Sequence, residues 1–289
     1  MSRTSLLAVA LMISFLSFTP STARAAIGIV AAENFYGDLA QQVGGPRVQV
    51  TSILSNPDED PHLFETSPSV ARAISGASIV IYNGIDYDPW MQSLLTAGRG
   101  KDRRIIVVAA LVGKKPGDNP HIWYDPNTML ALAKVLAGEL ALADASHRSE
   151  YQERLARFEH SLQPIVAKIT ELRARTKGIP VTATEPVFGY MFQALGMEIR
   201  NRSFQLAVMN NTEPSVSDVA RFEDDLKTHK VALLLHNRQA SDPTAERMLK
   251  LAKASHIPVM GASETEPLGE DYQQWMMSEL DAVDHALAK

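Results

Sequence analysis

Short apolar runs alternate with helix-like stretches along the first half of the chain. The runs that have the length of strands are residues 27–31, 48–54, 77–82 and 104–111. The third run is almost wholly apolar, which is typical of a parallel strand buried on both faces. Helix-like segments, one of which begins with the start signal Ser67-Pro68, separate the runs. The alternation predicts an α/β domain with a parallel sheet.

The second half of the chain repeats this pattern. Its strand-like runs are residues 180–184, 232–235 and 258–260, and its helix-like segments are residues 215–228, 242–254 and 271–288. In each half, the first strand is followed by a glutamate at a helix start, Glu33 or Glu185, and for Glu33 we favour a structural role. Two lobes related by a pseudo-two-fold axis would share a cleft at the carboxyl ends of their strands, where open α/β sheets bind ligands.

Residues 147–177, between the two halves, carry apolar residues at helical spacing over an unusual length. These residues are Tyr151, Leu155, Phe158, Leu162, Ile165, Ile169 and Leu172. Pro164 is the one helix-breaking residue before the end of the stripe, and a kink is expected there. We interpret this segment as a rigid linker helix between lobes of residues 26–146 and 178–289; a coiled-coil partner helix is the alternative.

Residues 1–25 are predicted to be a secretory signal peptide. Arg3 precedes an apolar run, residues 6–18, which is too short to span a membrane comfortably, and Ala23-Arg24-Ala25 forms a small-x-small cleavage site. A membrane anchor or a buried helix is the alternative. Because the chain has no cysteine, we expect no disulfide, no thiolate metal site and no bacterial lipid anchor. The mature protein is therefore expected to be free in a Gram-negative periplasm.

The composition is that of a soluble globular protein with a sizeable core, with 45% hydrophobic and 21% charged residues. The net charge of −5 and the lack of a basic run argue against nucleic acid as a partner.

Two Pro-His steps supply the first candidate ligands. His62 follows Pro61 in the acidic turn 56–65, and His121 follows Pro120 in a later loop. The second half offers Glu185 and the acids of residues 261–267 at its strand ends. Two imidazoles and two carboxylates suit Mn(II), Fe(II) or Zn(II), whereas magnesium and calcium do not favour two histidines.

Each candidate ligand also has a simpler structural explanation. His62 could be a turn histidine that is hydrogen-bonded by the neighbouring acids, and His121 could be a partly buried structural histidine. Glu185 could be a negative charge that stabilises a helix N-terminus. Asp125 either orients an imidazole or caps the next helix, and we favour the cap. His236, at a strand end, is a reserve candidate.

Enzyme motifs are missing from the sequence. It contains no G-x-S-x-G, no H-E-x-x-H and no glycine-rich phosphate loop. A metal held by four side chains leaves little open coordination for an activated water, which favours carriage over catalysis. An exported metal-dependent hydrolase and an adhesion or organic-ligand-binding module are the alternatives.

Four separated motifs resemble the metal-binding solute-binding proteins of bacterial zinc, manganese and iron ABC importers, the cluster A-I or cluster 9 family. They are residues 60–65, 119–123, 184–190 and 264–267, with the long central helix between the second and the third. The resemblance covers essentially the whole mature chain. It implies two α/β lobes joined by one rigid helix, a divalent metal between them, and delivery of the ion to an inner-membrane permease. We expect a monomer.

The resemblance also implies the ligands. By motif, His62 and His121 match the first two, and Glu185 falls where zinc importers commonly have a third histidine and manganese importers a glutamate. For the fourth, Glu264 is chosen because a Glu-Thr-x-Pro pattern recurs in one branch of the family, and Glu266 is the fallback. The loop 113–119 lacks the histidine-rich insertion of many zinc importers. The missing insertion and the glutamate in place of a third histidine are two departures from zinc importers, and both favour manganese or iron without excluding zinc.

Overall fold

The computed structural model describes residues 26–98, 102–240 and 242–288, so the predicted signal peptide lies outside the described residues. The first lobe contains a parallel sheet in the order β2-β1-β3-β4. Its strands are β1 (Ile27–Glu33), β2 (Val48–Leu54), β3 (Ile79–Tyr82) and β4 (Arg104–Val107). Its helices are α1 (Asn34–Gly44), α2 (Pro68–Gly76), α3 (Pro89–Ala97), α4 (Val108–Leu111) and α5 (Thr128–Ala143).

The connection between the lobes is a pair of nearly continuous helices, α6 (Arg148–Ser161) and α7 (Gln163–Thr176). They are separated at Leu162, two residues before Pro164. Proline has no backbone N–H to continue the helical hydrogen bonds, so the segment forms two helices here, close to the kink that was expected at Pro164.

The second lobe repeats the topology of the first. Its parallel sheet has the order β6-β5-β7-β8 and contains β5 (Pro180–Ala183), β6 (Glu198–Ile199), β7 (Leu234–Asn237) and β8 (Val259–Ala262). Its helices are α8 (Gly189–Ala194), α9 (Arg202–Met209), α10 (Val216–Lys227), α11 (Pro243–Ala254) and α12 (Tyr272–Leu287). The predicted fold class, two similar α/β lobes joined by a long helix, is confirmed.

One detail of the first sheet differs from the prediction. The apolar run 104–111 was expected to be a single strand, but β4 ends at Val107 and α4 forms the last four residues. A short apolar run has no periodicity that separates strand from helix, so the position of the break was not readable from the sequence.

The hydrophobic core is continuous between the two lobes. Phe35 from α1 packs against Trp123 and Trp275, with ring centroids 4.7 and 5.8 Å apart. Tyr124 in turn lies 4.8 Å from Phe188 of the second lobe. All five rings are buried, so moving the lobes apart would expose large aromatic surfaces to water.

Polar contacts reinforce this junction. Asn34 exchanges two hydrogen bonds with the backbone of Glu266, and the Tyr124 hydroxyl donates to the Ser263 carbonyl at 2.8 Å. No helix within the described residues is both long enough and apolar enough to cross a membrane.

Candidate metal centre

His62 is held by a short 3-10 turn, Pro61–Leu63. The Asp60 carboxylate accepts the backbone N–H of His62 at 2.9 Å, and Pro61 occupies the first position of the turn. The Asp60 carboxylate therefore stabilises the start of this turn in the way that an N-cap residue stabilises the start of a helix. The His62 ring packs edge-on against Tyr87, with centroids 5.5 Å apart, and its side chain is 18% exposed.

His121 is held in the same way by Asn119. The Asn119 side-chain oxygen lies 3.1 Å from the backbone N–H of His121 and 2.6 Å from its ring Nδ1. An amide oxygen can only accept, so Nδ1 carries a proton, and Nε2 is the ring nitrogen that faces Glu264. The Asn119 amide nitrogen donates to the Pro186 carbonyl at 2.7 Å, which ties this orientation to the second lobe.

The partner that orients His121 was not identified from the sequence. Asp125 is the other candidate for this role or for a helix cap, but its carboxylate accepts the backbone N–H of Asn127, which is itself the N-cap residue of α5. A signal for Asn119 did exist: Asp60-Pro61-His62 and Asn119-Pro120-His121 are the same Asx-Pro-His pattern, with an acceptor two residues before each histidine.

Glu264 brings the two histidines together. It follows β8, is fully buried, and its Oε2 lies 3.2 Å from Nε2 of His121 and 3.4 Å from Nε2 of His62. These residues offer ligand atoms that all lie within 4.8 Å of one another. Two atoms bound at about 2.1 Å to a tetrahedral ion would be separated by about 3.4 Å. The separations of Glu264 from the two histidine nitrogens are therefore close to those that an ion requires.

The pKa values of Glu264 and His62 are strongly perturbed. Burial alone would raise the pKa of Glu264, but the charges and hydrogen bonds of His121 and His62 lower it well below its usual range. Burial alone would lower the pKa of His62, but the hydrogen bond and charge of Glu264 raise it to about 9. In the ion-free site, His62 is therefore protonated at neutral pH and forms an ion pair with Glu264.

Glu185 lies beside this cluster and is not part of the convergent group. Its buried carboxylate accepts a hydrogen bond from the Asn237 amide at 2.7 Å, and the same amide contacts Glu264. Burial and the nearby charge of Glu264 raise the pKa of Glu185 to about 7. Asn237, at the end of β7, is a site residue that the sequence analysis missed. The repeat between the two halves could have pointed to it, because Asn83 follows β3 in the same way.

Two other candidates lie outside the cluster. Glu266 is held by Asn34 through its backbone, and burial together with Asp38 raises its pKa to about 9. The ring of His236 contacts the Asn237 carbonyl. Between the two acids left open after the strand, the structure therefore brings Glu264, and not Glu266, to the histidines.

The comparisons with known proteins agree with this architecture. Residues 29–286 match the model of the ZnuA family, described as zinc-uptake complex component A, periplasmic. The chain belongs to the ZnuA family. The predicted membership of the zinc, manganese and iron importer proteins is thereby confirmed.

Similar proteins carry related descriptions. The manganese ABC transporter substrate-binding lipoprotein PsaA of Streptococcus mitis is 21% identical over 90% of this chain and 89% of its own length. The iron ABC transporter substrate-binding lipoprotein MtsA of Streptococcus pyogenes serotype M1 is 23% identical over 98% and 96%. The solved structure of the periplasmic zinc-binding protein TroA from Treponema pallidum superposes with a TM-score of 0.75 at 17% identity, covering 92% of this chain and 100% of that chain. At this identity the superposition shows the common fold.

The family consists of metal-binding components of ABC importers, and the prediction that the chain is a transport protein and not an enzyme is confirmed. The hydrolase alternative finds no support. A carrier of this family works outside the cytoplasm, in agreement with the predicted periplasmic location.

Proposed function

We propose that this protein captures one divalent transition-metal ion with His62, His121, Glu264 and Glu185 and delivers it to an inner-membrane ABC permease. The convergence of two imidazole nitrogens on one buried carboxylate oxygen is the observation that carries this proposal. Nitrogen and carboxylate ligands in this combination suit zinc, manganese or iron.

Glu185 is the fourth ligand in this proposal. It is not among the residues whose ligand atoms converge, but it shares the Asn237 amide with Glu264 and interacts electrostatically with His62. A divalent cation would relieve the repulsion between the two carboxylates, so a small rotation of Glu185 toward the ion would be favourable once the ion is bound.

Further parts of the proposal concern how the carrier works. We expect it to act as a monomer, to bind no nucleic acid and to meet its permease at the inner membrane. The lobes of residues 26–146 and 178–289 would remain close together throughout, because their core is shared. Contact with the permease would then release the ion by displacing the loops around the site.

Metal titration of ligand variants tests the ligand set. His62→Ala, His121→Ala, Glu185→Ala and Glu264→Ala should each weaken Zn(II) and Mn(II) binding by more than the roughly 10–100-fold that outer partners cost. Glu266→Ala is the matched control and should bind as the unaltered protein does. Unchanged affinity in any ligand variant removes that residue from the set, and a mature protein that binds no transition metal overturns the function.

A further inference from the structure

Asn237 occupies the space between the two acidic ligand candidates. Its amide nitrogen has two hydrogens, and it contacts Oε2 of Glu185 at 2.7 Å and Oε1 of Glu264. Its side-chain oxygen accepts the backbone N–H of Gln239 at 3.0 Å. A backbone N–H can only donate, so the amide orientation is unambiguous and both of its hydrogens face carboxylates. The side chain is buried, with 5% exposure.

The oxygens of Glu264 are consequently divided between two functions. Oε1 is committed to Asn237, whereas Oε2 faces His62 and His121. Gln239 fixes the main chain of the same residue, because its Oε1 accepts the backbone N–H of Glu264. Gln239 also donates to the Glu59 carbonyl in the first Pro-His turn at 2.9 Å. The carboxylate therefore has little freedom to rotate.

This division is specific to the second lobe. Asn83, at the end of β3, stands at the equivalent place in the first lobe, but its amide donates to the carbonyls of Pro120 and Gly84. Its side-chain oxygen accepts the Tyr36 hydroxyl at 2.7 Å. None of these partners is a carboxylate, so an asparagine at the end of this strand does not by itself produce the bridge.

We propose that Asn237 is a specificity-determining residue that limits Glu185 and Glu264 to one metal-binding oxygen each. With two imidazole nitrogens, this limit gives four donor atoms. The inference rests on the proposed function, because it assumes that these residues bind the ion.

The chemical consequence concerns which ion is preferred. Zinc is readily satisfied by four ligands in a tetrahedral arrangement, whereas manganese, which shares carboxylate and water ligands with magnesium and calcium, favours an octahedral shell. A carboxylate that offers both oxygens raises the coordination number. By keeping one oxygen of each carboxylate on its amide, Asn237 favours zinc over manganese in this site, against the preference that the glutamate ligand alone indicates.

Cobalt(II) spectroscopy and metal competition test this role. The full mature chain is loaded with Co(II), whose visible absorption is intense in four-coordinate sites and weak in six-coordinate sites, and the Zn(II) and Mn(II) affinities are measured by chelator competition. In Asn237→Ala we expect a weaker Co(II) band and a Zn(II)-to-Mn(II) affinity ratio lower by about tenfold or more. Asn237→Ser keeps one hydrogen-bond donor, so its Co(II) band and its affinity ratio should lie between those of Asn237→Ala and the unaltered protein.

The matched control is Asn34→Ala, which removes hydrogen bonds across the lobes but contacts neither Glu185 nor Glu264. It should keep both the band and the affinity ratio of the unaltered protein. A six-coordinate Co(II) spectrum in the unaltered protein, or the same band and ratio in both Asn237 variants, overturns the inference. An unaltered protein that binds none of the three ions overturns the proposed function instead, so the two failures are distinguishable.

Discussion

Protons should compete strongly with the metal ion for this site. In the ion-free protein, the neighbouring Glu264 raises the pKa of His62 to about 9. At pH 7, which is about two units below this pKa, the ion must displace a proton from His62, and the displacement costs about 2.7 kcal/mol. The apparent affinity at pH 7 should be about 100-fold weaker than that of the same site without the proton.

The sign and the slope of the pH dependence follow from the two titrating ligands. Below pH 9 the affinity should fall about tenfold for each unit of decreasing pH, because one proton leaves His62 on binding. The pKa of Glu185 is raised to about 7, so below that pH a second proton is released if Glu185 binds as a carboxylate. Below pH 7 the metal affinity therefore falls more steeply, by up to about 100-fold for each unit of decreasing pH.

Competition titrations with a chelator at pH 6, 7 and 8, corrected for the chelator's own protonation, measure these slopes. Calorimetry in two buffers of different ionisation enthalpy counts the released protons directly: His62 should contribute about one near pH 8, and Glu185 should add nearly one more near pH 6, which Glu185→Gln would not release. An affinity that does not change between pH 7 and 8 refutes the protonated His62. A single proton at every pH refutes Glu185 as a ligand. Glu266→Gln serves as the control and should keep the same slopes, because Glu266 lies outside the cluster.

Three further predictions concern orientation, closure and stability. Asn119→Ala should weaken metal affinity roughly 10–100-fold, because His121 loses the acceptor at its Nδ1; unchanged affinity in chelator competition would show that the ring is held by packing alone. Solution scattering should give nearly the same radius of gyration with and without the ion, since the lobes share one buried core; a large closure would contradict this. Trp123→Ala should lower the free energy of unfolding by about 3–5 kcal/mol in denaturant titrations, and a loss below 1 kcal/mol would contradict its place in that core.

The overall fold was largely readable from the sequence because it depends on local patterns. Apolar runs of three to eight residues, repeated in both halves of the chain with helices between them, predict two parallel sheets regardless of how the sheets meet. Pro164 predicted a kink in the linker helix for the same reason, since the missing N–H is a property of the residue itself, and the structure has a break at the neighbouring Leu162. The end of β4 at Val107 was not predictable, because a short apolar run suits a strand and a helix equally.

The ligand types were also present in the sequence, but their arrangement was not. Each Asx-Pro-His motif carries its own acceptor for the histidine backbone, so the two arms of the site are local structures. The resemblance to one branch of the family favoured Glu264 over Glu266, but the physical reason lies in the tertiary structure, because adjacent acids in one loop face different surroundings once the chain is folded.

The position of Glu185 and the bridging role of Asn237 were decided in the same way. They depend on residues 52 and 27 positions apart meeting across the ends of three strands. Hydrogen bonds of this kind are made only when the sheet is assembled, and no periodicity along the chain records them. The sequence by itself thus determined the fold class and the kinds of ligand, whereas the folded structure decided which oxygen of which carboxylate is available to the ion.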